Sequence, residues 1–291
     1  MPDLRIPTND TAQSVPSAVR VDVSGLSHPG KVRPRNEDHF HVMRLGRYLE
    51  TVVTSLPAEA IDTRTDEVGY VMIVADGMGG HAGGEQASRM AITGLVKLAL
   101  ARPDWIFRLD KGIAADVKQR SKERVQDLHT QLLNEGEQNR ELHGMGTTLT
   151  IVRNMGRQLN IVHVGDSRAY LLRNGRLQHL TRDHTYLQLL IDSGQLSKED
   201  AGDFRGRHIL VNALGGFNEE VEVDVDQIPL SNGDRILMCS DGLTDMVDDD
   251  TICRVLVERQ ESREACQRLV DLALERGGKD NVTVVVATYT F

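Results

Sequence analysis

Acidic side chains at the ends of apolar runs are the groups in this chain best placed to do chemistry. The run Val71-Met72-Ile73-Val74-Ala75 ends in Asp76, and the glycine-rich turn Gly77-Met78-Gly79-Gly80-His81 follows at once. The run Arg235-Ile236-Leu237-Met238-Cys239 leads to Ser240-Asp241-Gly242, and a looser copy runs from Leu159 to Val164 and on to Gly165-Asp166-Ser167. Any one copy also reads as an ordinary Asp-Gly turn after a strand. Together they describe three strands that each deliver a carboxylate at the C-terminal end. Such groups repel one another at close range unless a multivalent cation neutralises them. Donors that are all oxygen select a hard ion, Mg²⁺ or Mn²⁺, over zinc.

The elements that must carry these acids are mostly strands. Strand-like runs cover Val21–Leu26, Phe40–Leu45, Val68–Ala75, Thr147–Val152, Leu159–Val164, Arg168–Leu172, Arg235–Cys239 and Asn281–Thr288. Asn174-Gly175 between Ala169–Leu172 and Leu177–Leu180 predicts a hairpin. Helical periodicity is expected over Glu85–Ala101, Leu109–Leu133, His184–Ser193 and Glu264–Glu275, with Gly277-Gly278 stopping the last. Ser197-Lys198-Glu199-Asp200 is expected to cap one more short helix. Strands in hairpins and meanders with helices grouped between them predict an α+β fold with antiparallel sheets covered by helices, not βαβ repeats.

Bulk composition narrows the function classes. A net charge of −9 argues against a general nucleic-acid binder, which needs a basic footprint. The three cysteines, Cys239, Cys253 and Cys266, lack metal-ligand spacing and read as core residues in a reducing compartment. No apolar run approaches the ~18 residues of a membrane span. The start of the chain lacks the apolar segment of a signal peptide, so a cytoplasmic protein that does not bind membranes is expected. Residues 1–20 carry Pro2, Pro7 and Pro16 without periodicity and are expected to form a flexible tail. Residues 21–291 are expected to form one domain.

Further motifs complete a pattern. Arg33 precedes the acidic pair Glu37-Asp38, Gly144-Met145-Gly146-Thr147-Thr148 follows the first helix pair, and Gly277-Gly278-Lys279-Asp280-Asn281 precedes the last strand. In this order, with Asp76–His81, Val164–Arg168 and Ser240–Asp245, they resemble the PPM (type 2C) metal-dependent serine/threonine protein phosphatases of compact bacterial type. The resemblance covers about Val21 to Tyr289. It implies a four-layer α-β-β-α sandwich of two antiparallel sheets flanked by helices. It also implies a first metal held by Asp76, Asp241 and Asp280, and a second held by Asp38, Asp76 and the Gly77 carbonyl, with Glu37 in the same cluster. Asp166 with Asp241 would hold a third, weaker ion. Arg33 corresponds to a residue that grips the substrate phosphate, and His81 to a proposed general acid.

The chemistry suits these residue types. Two hard ions about 4 Å apart can share a water and lower its pKa, so that the hydroxide attacks phosphorus in line. A guanidinium fork matches two phosphate oxygens, and a serine or threonine alkoxide needs a proton as it leaves. The implied function is hydrolysis of phosphoserine and phosphothreonine on proteins, the products of a serine/threonine kinase, by a monomeric enzyme. Plainer roles stand beside each assignment. Arg33 could lie on the surface, His81 could only hydrogen-bond a carboxylate or a metal water, and Asp166 could only cap its turn. A regulatory module of the same fold without turnover, or a phosphatase of small phosphomonoesters, would share much of the pattern. A nucleotide-binding site at Gly79–Gly84 is excluded, since no Gly-Lys-Ser/Thr follows. Two segments stand out beside these motifs. Residues 46–67 form an insertion with Leu49, Val52, Val53, Leu56 and Ile61, expected as a helix or hairpin packed on the sandwich edge or, alternatively, as a docking surface. Residues 185–207 correspond to a flap beside the cleft that could choose substrates.

Overall fold

The computed structural model describes residues 19–57, 60–61, 64–79, 83–101, 114–197 and 200–291. Residues 1–18 of the tail expected over 1–20, His81, and the first part of the helix expected over Leu109–Leu133 lie outside the described residues, while Arg20 at the end of that expected tail already opens the first strand. The strands are β1 (Arg20–His28), β2 (Asp38–Glu50), β3 (Arg64–Met78), β4 (Gly146–Thr147), β5 (Leu149–Met155), β6 (Gln158–Val164), β7 (Arg168–Arg173), β8 (Arg176–His179), β9 (Leu214–Gly215), β10 (Asp224–Pro229), β11 (Arg235–Cys239) and β12 (Val282–Thr290). The helices are α1 (Gly83–Ala101), α2 (Ala114–Gln138), α3 (Tyr186–Asp192), α4 (Asp241–Thr244), α5 (Asp249–Glu258) and α6 (Ser262–Glu275).

One sheet has the order β1-β12-β11-β7-β8; the other runs β10-β6-β5-β3-β4-β9, with β2 paired to β3. All the pairings are antiparallel. Successive strand residues point to opposite faces, and here both faces are covered. Met72 and Val74 of β3 meet Ile236 and Met238 of β11 and Val285 and Ala287 of β12 between the sheets. Their neighbours Val71, Ile73 and Ala75 pack outward against Ala87, Ala91 and Leu95 of α1 and Val125 and Leu128 of α2. On the far side, Leu237 and Val284 pack on Ile252 and Leu256 of α5 and Leu269 of α6. The result is the α-β-β-α sandwich. Burial on both faces explains why these strands are unbroken apolar runs: each such side chain contributes roughly 1.5–3 kcal/mol once removed from water.

Local signals were followed closely. Asn174 and Gly175 both adopt positive φ (53° and 73°), as a two-residue hairpin turn requires. The helix α5 had not been expected; the acidic run Asp248-Asp249-Asp250 hides it, although Asp248 caps it by accepting from the Thr251 N–H at 2.8 Å. The short helix expected to be capped by Ser197–Asp200 is a 3-10 segment, Asp200–Asp203, and Lys198 and Glu199 lie outside the described residues. Among the described residues no helix is long and apolar enough to cross a membrane.

The segment 46–67 is a hairpin, but its apolar residues do not pack on the sandwich as expected. The β2–β3 ladder continues to Glu50↔Arg64, whereas the neighbouring β5 stops pairing at Gly69↔Met155. Beyond that point the hairpin has no sheet beside it. Val52 and Val53 are each 89% exposed, and Leu49 and Leu56 are exposed as well. The segment expected as a flap leaves the body after His184 and returns by Leu210, where Thr185 and Leu210 form an isolated bridge. Its helix α3 buries no residue completely.

Candidate metal centre

The acids reach one place because the strands end there. Asp38 opens β2 and Asp76 nearly closes β3, and the register sets them directly opposite each other. Directly opposed residues of an antiparallel pair have Cβ atoms only about 4.5–5.5 Å apart. Asp76 is anchored by its backbone: its N–H donates to Thr148 Oγ1 (2.9 Å), and its carbonyl accepts from the Thr148 N–H and the Thr147 hydroxyl, both at 2.8 Å. The chain then turns away through Gly77, where a Cβ would collide with the Gly84 carbonyl oxygen. From the other sheet, Asp241 begins α4 directly after β11. Asp280 precedes β12, and Asn281 holds its loop. Asn281 Oδ1 accepts from the Glu37 N–H (2.7 Å), while its Nδ2 donates to the carbonyls of Pro29 (2.9 Å) and Arg35 (2.8 Å).

A cleft of about 1190 Å³ opens over this end of the sandwich, lined by Arg33, Glu37, Asp76, Gly77, Asp166, Asp241 and Asp280. Asp38 lies beneath it, 3% exposed. Thus every described residue of the expected site converges here; His81 lies outside the described residues. Arg33 does not stand free on the surface. It donates from Nη2 to Asp280 Oδ2 at 2.6 Å, and this hydrogen bond, then the charge of Asp280, raises its pKa.

Among the described residues, Asp280 is the one carboxylate of this group with a hydrogen-bonded cation. Burial pushes Asp38 up to about 6, against an opposing hydrogen bond from Ser240. Asp76 is held well above the usual carboxylate range, first by burial and then by the charges of Asp38, Asp241, Asp166 and Asp280. Asp241 is raised the same way, by burial and then by Asp166, Asp245, Asp280 and Asp38. Burial, with Asp183 next, pushes Asp166 up to about 7. Burial is also what raises Glu37. Ser240 Oγ donates to Asp38 Oδ2 at 2.7 Å, while Asp38 Oδ1 is buried with no hydrogen-bond partner. A buried, unpartnered carboxylate oxygen amid carboxyls raised by burial and then by their neighbours' charges fits a site for a counter-cation. The oxygen-only donor set fits a hard divalent ion.

Two contributors were missed. Asp245 stands one helical turn past Asp241, and His208 reaches in from the flap segment; ligand atoms of His208, Asp241 and Asp245 lie within 4.8 Å of one another. The spacing of four between Asp241 and Asp245 could have revealed the first. Nothing local announces His208, whose Nδ1 sits 3.5 Å from Asp245 Oδ2 across the chain fold.

Two stacked antiparallel sheets with clustered carboxylates and one arginine at a shared end define a hard-cation site suited to phosphate esters. The chain belongs to the protein phosphatase 2C family, whose sequence model matches residues 59–275. It is 42% identical over 219 residues to the serine/threonine protein phosphatase PstP of Mycobacterium tuberculosis, an alignment covering 75% of this chain but 40% of that protein. It is 37% identical over 216 residues to the serine/threonine phosphatase stp of Listeria welshimeri, covering 74% of this chain and 83% of the relative. The crystal structure of the PstP catalytic domain in complex with two manganese ions superposes with a TM-score of 0.72 at 35% identity, covering 94% of this chain and all of that one.

Proposed function

We propose that this chain hydrolyses phosphoserine and phosphothreonine on proteins, using Mn²⁺ or Mg²⁺. The observation that carries this reading is the unpartnered Asp38 Oδ1 within a buried group of carboxyls raised by burial and then by neighbouring carboxylates. Asp76, Asp241 and Asp280 would hold one ion. Asp38, Asp76 and the Gly77 carbonyl would hold a second, with Glu37 close by, and Asp166 with Asp241 a third. Bound there, such ions supply Lewis acidity and a lowered pKa for attacking water.

The chain's own residues do the rest. Ser240 fixes Asp38 Oδ2 and leaves Oδ1 as the carboxylate oxygen without a hydrogen bond. Asn281 holds the Arg35–Glu37 loop against the start of β12, which keeps Glu37 and Asp280 in one wall. Arg33 uses one Nη2–H on Asp280, and no other described residue hydrogen-bonds its guanidinium. The remaining N–H groups would be left to take two oxygens of a phosphate in the forked geometry a guanidinium offers. His81 is assigned the proton for the leaving alkoxide. The substrates are phosphoproteins made by a serine/threonine kinase, and the enzyme works as a cytoplasmic monomer.

The test is release of phosphate from a phosphothreonine peptide with Mn²⁺, with Mg²⁺ and with chelator. Turnover that needs the divalent ion is the expected result. Full turnover in chelator, or none with either ion, overturns the reading. A strong preference for small phosphomonoesters over the peptide moves the substrate class.

A further inference from the structure

The turn that carries Asp166 and the base of the flap share a buried histidine, His184, 4% exposed, that the phosphatase reading leaves without a role. Its contacts are unusually complete. The Gly165 N–H donates to His184 Nδ1 at 3.1 Å, and the His184 N–H donates back to the Gly165 carbonyl at 2.8 Å. Asn212 Nδ2 donates to the same Nδ1 at 2.7 Å. Since Nδ1 accepts from two N–H groups it carries no proton, so Nε2–H is the donor to Asp224 Oδ2 at 3.1 Å. Asn212 is itself oriented by Glu222, through Nδ2 to its carbonyl (2.8 Å) and Oδ1 from its N–H (3.1 Å). Val211 N–H donates to the His184 carbonyl at 2.9 Å.

His184 therefore belongs to the outgoing stem of the flap, is bonded to the returning stem at Val211 and Asn212, and grips both backbone atoms of Gly165. Gly165 has little freedom of its own: its φ is +107°, and a Cβ there would lie 2.6 Å from the Thr148 side chain. The next residue is Asp166, whose carboxylate lines the cleft.

We propose that His184 is a positioning residue that ties both stems of the flap to the Gly165-Asp166 turn, so that a displacement of the flap base and a displacement of the Asp166 carboxylate are one event. Asp224 serves it by holding Nε2–H and leaving Nδ1 as the acceptor. A flap that shifts on meeting a protein substrate thereby alters the acidic wall of the cleft. The coupling extends the phosphatase reading but can be measured apart from it.

The experiment compares the full chain with His184→Gln and His184→Asn. A glutamine amide reaches the Nε2 position, and it can still donate to Asp224 but offers no acceptor at Nδ1. An asparagine oxygen falls at the Nδ1 position and replaces that acceptor. Amide hydrogen exchange is read in chelator, without substrate. In His184→Gln the Gly165 and Val211 amides should exchange about tenfold faster, the loss of one hydrogen bond, while β3 and β11 amides stay protected. His184→Asn should remain within about threefold of the parent. With Mn²⁺ and p-nitrophenyl phosphate, the ion concentration for half-maximal rate should rise in His184→Gln and recover in His184→Asn. Equal behaviour of the two variants, or parental exchange in both, overturns the coupling. If His184→Gln loses protection throughout, Asn212→Ala, which removes one of the two bonds from the returning stem to His184, decides: unchanged exchange at Gly165 and Val211 then overturns it. Altered exchange without phosphatase activity in any of these proteins, the parent included, supports the coupling and removes the phosphatase reading instead.

Discussion

Asp38 and Asp76 face each other in register across the β2–β3 hairpin, and no cation among the described residues hydrogen-bonds either carboxylate. Two carboxyls so placed cannot both ionise cheaply without a counter-charge. Asp38→Asn and Asp76→Asn should each lower phosphatase turnover by at least ~10²-fold if, as proposed, each removes a metal ligand. Calorimetric titration with Mn²⁺ checks the cause: binding should weaken with the activity. Intact Mn²⁺ affinity in Asp76→Asn would assign the loss to something other than the metals.

Arg33 bridges to Asp280 at 2.6 Å while more than half its side chain remains exposed. Arg33→Ala should raise KM for a small aryl phosphate by somewhat over tenfold, as expected for loss of a charge-assisted bond worth roughly 1.5–3 kcal/mol. Mn²⁺ affinity should change much less. If instead Mn²⁺ affinity collapses and KM holds, Arg33 serves Asp280 and not the substrate.

The segment 185–210, which contains the expected flap 185–207, joins the body at the Thr185–Leu210 bridge and buries no residue of α3 completely. Replacing residues 187–207 by a short Gly/Ser linker should alter peptide preference more than hydrolysis of p-nitrophenyl phosphate. Steady-state kinetics on both substrates measures this. Equal loss on the two would make the segment a requirement for folding or for the metals.

His163 gives a pH prediction away from the acids. It is 1% exposed, with Nε2 on the Arg182 carbonyl and Nδ1 on Thr150 Oγ1, both at 3.0 Å. Burial lowers its pKa to about 4. The folded protein therefore binds this proton less readily than the unfolded chain, whose histidine titrates near 6.5. Its contribution is whole above about pH 6.5 and is lost as the pH falls through about 4, a ceiling of roughly 3 kcal/mol. Denaturant unfolding from pH 4 to 8 should show a shallower acid decline in His163→Gln than in the parent. Identical slopes would place the acid sensitivity elsewhere.

Much of the site was legible because strand and acid are adjacent in the chain. An apolar run followed by Asp-Gly marks both where a strand ends and where a carboxylate emerges, as at Asp76 and Asp241. The sandwich was legible for a related reason: strands buried on both faces must be apolar at every position, and amphipathic helices must cover them. What escaped were contacts between residues far apart in sequence. Ser240 orients Asp38 across 202 positions, Asp280 engages Arg33 across 247, and His208 enters from the flap.

By itself, then, the sequence determined which apolar runs form buried strands and which helix faces cover them, and that several acids stand at strand ends. Both follow from local periodicity and turn chemistry, which act over a few residues. Only the tertiary structure decided that Arg33 leans on Asp280, that Asp38 Oδ1 is left without a partner, that His184 joins flap to turn, and that the 46–67 hairpin projects its apolar side chains past the sheet edge. Those outcomes depend on how two sheets stack and where each ladder stops, which is settled by packing between segments and not by the residue types within any one of them.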